Sequence, residues 1–146
     1  MNMREIIFRG KDKYENWRYG QLITNSKIYG IIEEYEYACN SGALDFSYIK
    51  VDRETVGQFT GLFDNTRTEK FPDGKPIYEG DIVQFYYYDE KTPTIGKVIY
   101  HGSKFACKKH KEDVFYLLRA FDMTVIGNIH DNPELFTHGL WRWNDE

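Results

Sequence analysis

The ten residues Gly74-Lys75-Pro76-Ile77-Tyr78-Glu79-Gly80-Asp81-Ile82-Val83 constrain the fold more than any other part of the chain. They read as a turn, a short apolar step, a second glycine turn and the entry to a β-strand. Glycine supplies the backbone freedom that tight reversals need, and proline removes a donor that a central strand could not spare. The strand that follows, Asp81 to Tyr88, alternates: Val83, Phe85 and Tyr87 share one face, and Ile82, Gln84, Tyr86 and Tyr88 share the other. With Val83 and Phe85 turned inward, Tyr86 and Tyr88 face outward.

Strand-length apolar runs broken by Gly, Asn, Asp and Pro recur along the rest of the chain, and helical periodicity is scarce. Glu5 to Phe8 reads as a first strand ended by a turn over 9–13. Trp17 to Ile23 reads as its return, Asn25-Ser26 as a turn, and Lys27 to Tyr37 and Phe46 to Val51 as further strands. Thr55 to Gly61 is β-rich, with glycines that mark bulges or close backbone approach. The polar segment Phe63 to Lys75 reads as a mobile loop or subdomain boundary. Ile95 to His101, Val114 to Leu118 and Thr124 to Ile129 complete the strands. Asn132-Pro133-Glu134 opens a short helix, with Asn132 as N-cap and Pro133 at the first helical position.

Composition supports the β reading. Aromatic residues make up 17% of the 146, including 12 Tyr and 10 Phe, and aromatics favour pleated, half-buried surfaces. The net charge of −4 leaves the whole molecule without the basic footprint of a nucleic-acid binder. Charge is nevertheless uneven: residues 31–64 hold seven acidic side chains against two basic, and residues 97–119 hold six basic against two acidic. Two cysteines, Cys39 and Cys107, make no disulfide framework. No apolar run resembles a signal peptide or is long enough to span a bilayer, so the expected setting is the host cytoplasm, with no membrane partner.

Several segments together resemble the YopX family of bacteriophage and prophage proteins. They are Arg4-Glu5-Ile6, Phe8-Arg9-Gly10-Lys11, Trp17-Arg18-Tyr19-Gly20, Val51-Asp52, Thr55 to Leu62, Gly74-Lys75 with Ile77 to Val83, Val125 to Ile129, and Asn132 to Leu135. The pattern departs in the long loop over Phe63–Phe71 and in the tail after Leu135. The resemblance implies a mainly β fold with a small SH3-like barrel, and it implies no activity. It gives one YopX-like domain over 1–146. Within it, an N-terminal β region over 1–62 packs on an SH3-like barrel and short C-terminal helix over 70–136.

Chemical motifs are weak. Glu79 and Asp81 alternate about Gly80 and could offer a divalent cation two carboxylates, but an Asp after Gly more often accepts backbone N–H groups and fixes its turn. Cys107-x-x-His110, with His101 and Cys39, has one close ligand pair where structural zinc sites have two, so Cys107 reads as a free thiol. No nucleophile elbow and no phosphate-binding glycine loop is present. The chain is therefore expected to be no enzyme and to need no cofactor or metal. It reads as an accessory protein that binds an unknown protein partner through Tyr78, Tyr86, Tyr88 and the tail residues Trp141 and Trp143, or that covers such a patch with a second copy. The alternative is a nucleic-acid-binding module that sets a lysine-rich loop (Lys104, Lys108, Lys109, Lys111) beside the tyrosines.

Overall fold

The computed structural model describes residues 5–33, 35–37, 44–86, 91–109 and 115–137. The chain divides into two compact units, Met1–Phe59 and Thr60–Glu146. In the first, β1 (Phe8–Lys11), β2 (Trp17–Thr24) and β3 (Tyr29–Ile32) form an antiparallel meander. A small hairpin of β4 (Tyr35–Tyr37) and β5 (Leu44–Phe46) follows, then β6 (Ile49–Lys50) against β3. A 3₁₀ turn, Arg53–Thr55, leads into β7 (Gly57–Phe63), whose first residues pair with β1. The order in this unit is β6-β3-β2-β1-β7.

The first reversal lies later than the apolar pattern predicts. Arg9, Gly10 and Lys11 are not turn residues; they pair with Tyr19, Arg18 and Trp17. Asp12 sets the turn instead. One carboxylate oxygen accepts from the N–H groups of Tyr14 (2.8 Å) and Asn16 (3.0 Å), and the other from Arg18 Nε (2.9 Å). Glu15 adopts φ = 64° inside this loop, a left-handed conformation that the surrounding bonds hold in place. Asn25 works the same way at the next turn, where its Oδ1 accepts from Lys27 N–H (2.7 Å) and Ile28 N–H (2.9 Å).

In the second unit β8 (Pro76–Tyr78) lies beside the later part of β7, where Thr60 Oγ1 donates to the Ile77 carbonyl (2.8 Å). The main sheet comprises β9 (Asp81–Phe85), β10 (Thr94–His101), β11 (Lys104–Lys109), β12 (Phe115–Leu117) and β13 (Thr124–Asn128). Its order is β12-β11-β10-β9-β13, antiparallel throughout. Ile77, Val83, Phe85, Val98, Cys107, Leu118, Ala120 and Met123 form the core, with Phe105, Tyr116 and Val125 packed against it. The helix α1 (Pro133–Thr137) contacts β10 and β13.

The expected SH3-like barrel is not there. A barrel requires the two end strands of the sheet to pair with each other. Here β12 and β13 stand at opposite ends of an open five-stranded order, and no sheet among the described residues closes on itself. A bulge between Val125 and Gly127 bends β13, yet β12 has only three residues with which to complete any closure. The mainly β class holds; the closed architecture does not.

The segment after Phe63, expected to be a mobile loop or a subdomain boundary, lies inside the second unit and is tied down by Asp64. This buried carboxylate accepts from Thr66 N–H (2.9 Å), Lys75 N–H (2.8 Å) and Val125 N–H (2.9 Å). Its own N–H donates to the Lys75 carbonyl, and Asn65 N–H donates to Met123. The loop is thereby fastened to β13. At the helix start, Asn132 stands immediately before Pro133, the place predicted for the cap, and its Oδ1 accepts from Asn128 N–H (3.3 Å).

Candidate functional site

The predicted docking residues separate once placed on the fold. Tyr78 is buried at 6% exposure, so its ring offers a partner little surface. Tyr86 follows β9 directly and is 52% exposed, while Phe85 beside it is 2% exposed, the inward and outward assignment that alternation predicts. Tyr88, Lys111, Trp141 and Trp143 lie outside the described residues, as do Cys39 and His110. Lys104, Lys108 and Lys109 sit on strand β11, not in a loop. Alternation puts Lys104 and Lys108 on the face opposite Cys107 and Lys109 on the Cys107 face, so the three ammonium groups do not converge.

The same alternation exposes a surface that aromatic counting overlooks. Tyr116 of β12 turns inward and meets Phe85 edge-on, with ring centroids 5.2 Å apart and planes at 72°. Its neighbours Phe115 and Leu117 must then turn outward, and they are 39% and 63% exposed. His101 stacks flat on Phe115, with centroids 4.1 Å apart and planes 3° apart. An end strand of a sheet thus carries one bare apolar side chain, Leu117, and a second, Phe115, half-covered by His101. The signal was present in Phe115-Tyr116-Leu117, but the run of apolar residues gave no phase, so which two pointed outward was not readable.

The carboxylates and thiol take structural roles. Asp81 is buried, and its Oδ2 accepts from Tyr78 N–H at 2.7 Å, closing the turn at Gly80 (φ = 93°). Cys107 is buried in the core, where loss of hydration pushes its thiol pKa up to about 12. It pairs across the sheet with Val98, three register positions from His101. Among the described residues no group of three or more His, Cys, Asp or Glu side chains gathers to hold a metal.

The first unit contains a cleft of about 570 Å³ between the turn after β1 and the end of β6. Its lining is Asp12, Lys13, Tyr14 and Arg18 from the first turn and β2, with Ile49, Lys50, Val51 and Asp52 from β6 and the residues after it. The backbone of both segments is braced by hydrogen bonds. Asp12 braces the turn as described, and its carboxyl is held below its ordinary pKa, first by the Asn16 N–H and also by Arg18 and the Tyr14 N–H. Val51 N–H donates to the Tyr29 carbonyl and Asp52 N–H to the Lys11 carbonyl, both at 2.8 Å. Asp52 Oδ1 accepts from Glu54 N–H (3.1 Å) as N-cap of the 3₁₀ turn. Arg18 bridges Asp12 and, through Nη1, Glu33 (3.3 Å).

Among the described residues no helix is long and apolar enough to cross a membrane. The protein-family model described as YopX protein matches residues 7–137. Among solved structures, the crystal structure of protein EF1440 from Enterococcus faecalis is similar at 25% identity and a TM-score of 0.61, over 92% of this chain and 99% of that one. No curated protein matches the chain. The family match runs through both compact units and through every segment that carries the β1–β2 turn, the Gly80 turn and β13: the chain belongs to the YopX family of phage and prophage proteins.

Proposed function

We propose that this YopX protein is a binding module without chemistry of its own, working in the host cytoplasm, and that it docks a protein partner on β12. The observation that carries this reading is the outward exposure of Leu117, with Phe115 half-covered by His101, on an end strand whose middle residue, Tyr116, packs against the core. Rigid, apolar and already extended, such a strand loses little conformational freedom on docking. An extended partner segment can lie alongside it, and the two outward side chains supply the contact that distinguishes one partner from another. Tyr86 is a further exposed ring of the same unit. The nucleic-acid reading is less favoured, because strand alternation divides Lys104 and Lys108 from Lys109.

Affinity capture from prophage-carrying cells, with wild type and Leu117→Asp in parallel, tests the proposal. A protein held by wild type and lost by a folded Leu117→Asp variant is the expected result, and the interaction should persist as salt rises. Recovery of the same proteins by both forms refutes the docking surface. A complex with DNA or RNA that dissolves steeply with salt refutes the protein partner.

A further inference from the structure

We infer that the cleft of the first unit binds a small aromatic anion of mononucleotide size, a base or similar flat ring carrying a phosphate. Its volume, about 570 Å³, falls within the roughly 300–1,000 Å³ of small-molecule pockets. The charges of the lining residues are unequally committed. Asp12 is spent on two backbone N–H groups and Arg18, and Asp52 accepts from the Glu54 N–H. Lys13 and Lys50 have no carboxylate partner among the described residues, and Arg18 engages its two acceptors through Nε and Nη1, leaving Nη2 for an incoming oxygen. The lining residues thus carry three cations, Lys13, Lys50 and Arg18, against two carboxylates, of which Asp12 is already paired with Arg18, and this balance favours an anion.

The remaining lining selects the body of the ligand. Ile49 and Val51 give one apolar wall. Tyr14 lines the same cleft, 71% exposed, with Lys13 Nζ over its ring, 5.0 Å from the centroid. One face of the phenol ring then carries the ammonium group, and the other is the face on which a flat ring of the ligand would stack. The backbone of both lining segments is already hydrogen-bonded in place, which lowers the cost of ordering them around a ligand.

The test is a titration of the full chain followed by backbone-amide NMR, with adenosine and guanosine monophosphate, uncharged adenosine and inorganic phosphate as separate probes. The expected result is saturable binding of at least one monophosphate below about 1 mM, with shifts at Lys13, Tyr14, Lys50 and Val51. Adenosine and phosphate should each bind about tenfold or more weakly, and Lys13→Gln with Lys50→Gln should weaken the monophosphate by about tenfold or more. Both substitutions are on the surface, and an unchanged spectrum away from the cleft establishes that the variant is folded. Tyr14→Ala should reduce the preference for the monophosphate over phosphate. The inference is overturned if no probe shifts these amides, if phosphate alone or adenosine alone binds as tightly as the nucleotide, or if the double variant binds unchanged.

Discussion

Asp64 offers the sharpest test of how the second unit is held together. Its carboxylate is 4% exposed and accepts three backbone N–H bonds, from Thr66, Lys75 and Val125, joining the ends of a twelve-residue loop to β13. Hydrogen bonds to an ionised acceptor contribute about 1.5–3 kcal/mol each, so simple addition gives about 4.5–9 kcal/mol for Asp64→Ala. That sum is too high: the three bonds share one acceptor group, and water entering the vacated space would satisfy part of the loss. A cost of about 3–4 kcal/mol is the reasoned figure, which for a chain of this size lowers Tm by roughly 10 °C. Asp64→Asn separates the acceptor count from side-chain volume. Its single oxygen can serve either the Thr66 and Lys75 pair or Val125, while its NH₂ faces a donor, so about 2 kcal/mol should be lost. Urea melts give the free energies, and amide exchange at Lys75 and Val125 should accelerate in both variants. A loss below about 0.5 kcal/mol for Asp64→Ala, or equal losses for both substitutions, would refute the bracing role.

Two further outcomes follow from titration and burial. The native carboxyl of Asp12 lies below its ordinary pKa through the Asn16 N–H, Arg18 and the Tyr14 N–H, so its stabilising effect is present above the unfolded carboxylate value and disappears as pH falls through the lowered native one. Asp12→Asn should therefore destabilise the wild-type fold near neutrality and flatten the acid limb of a plot of urea midpoint against pH; an unaltered acid limb contradicts the assignment. Cys107, raised to about 12 by burial, should resist alkylation at pH 8 in a Cys39→Ser background and react on addition of denaturant, and brisk native reaction would contradict its place in the core.

Alternation and turn chemistry made much of the β architecture readable. Asp81 to Phe85 appears as a strand with Phe85 inward and Tyr86 outward, and the Gly80 turn is closed by Asp81 as its position implied. What sequence could not supply was the long-range partner of each polar side chain. Asp12 looks like any loop aspartate until Arg18 and two N–H groups converge on it, and that convergence moves the first reversal three residues along. Asp64 sits in a segment as polar as a free loop, and only the approach of Val125, 61 positions away, makes it an anchor. Asn132 stands at the helix start as its place implied, and the bond its side chain accepts from Asn128 N–H is again one that the local pattern did not describe.

The barrel expectation failed for a related reason. Local pattern specifies strands, faces and turns, whereas closure is a property of the ends of the sheet, which no window along the chain describes. Pairing β12 with β13 would join the two edge strands of the sheet, while Phe115 and Leu117 would keep their outward direction. Natural sheets blunt such edges with charge, proline or a covering element; this one keeps Leu117 at 63% exposure beside Tyr116, which is fixed in the core. A three-residue strand is too short to make its own hydrophobic layer, and its outward pair contributes nothing to the core beneath it. An open sheet leaves β12 as an end strand, whereas the outward phase of Phe115 and Leu117 is set separately, by the inward turn of Tyr116 onto Phe85.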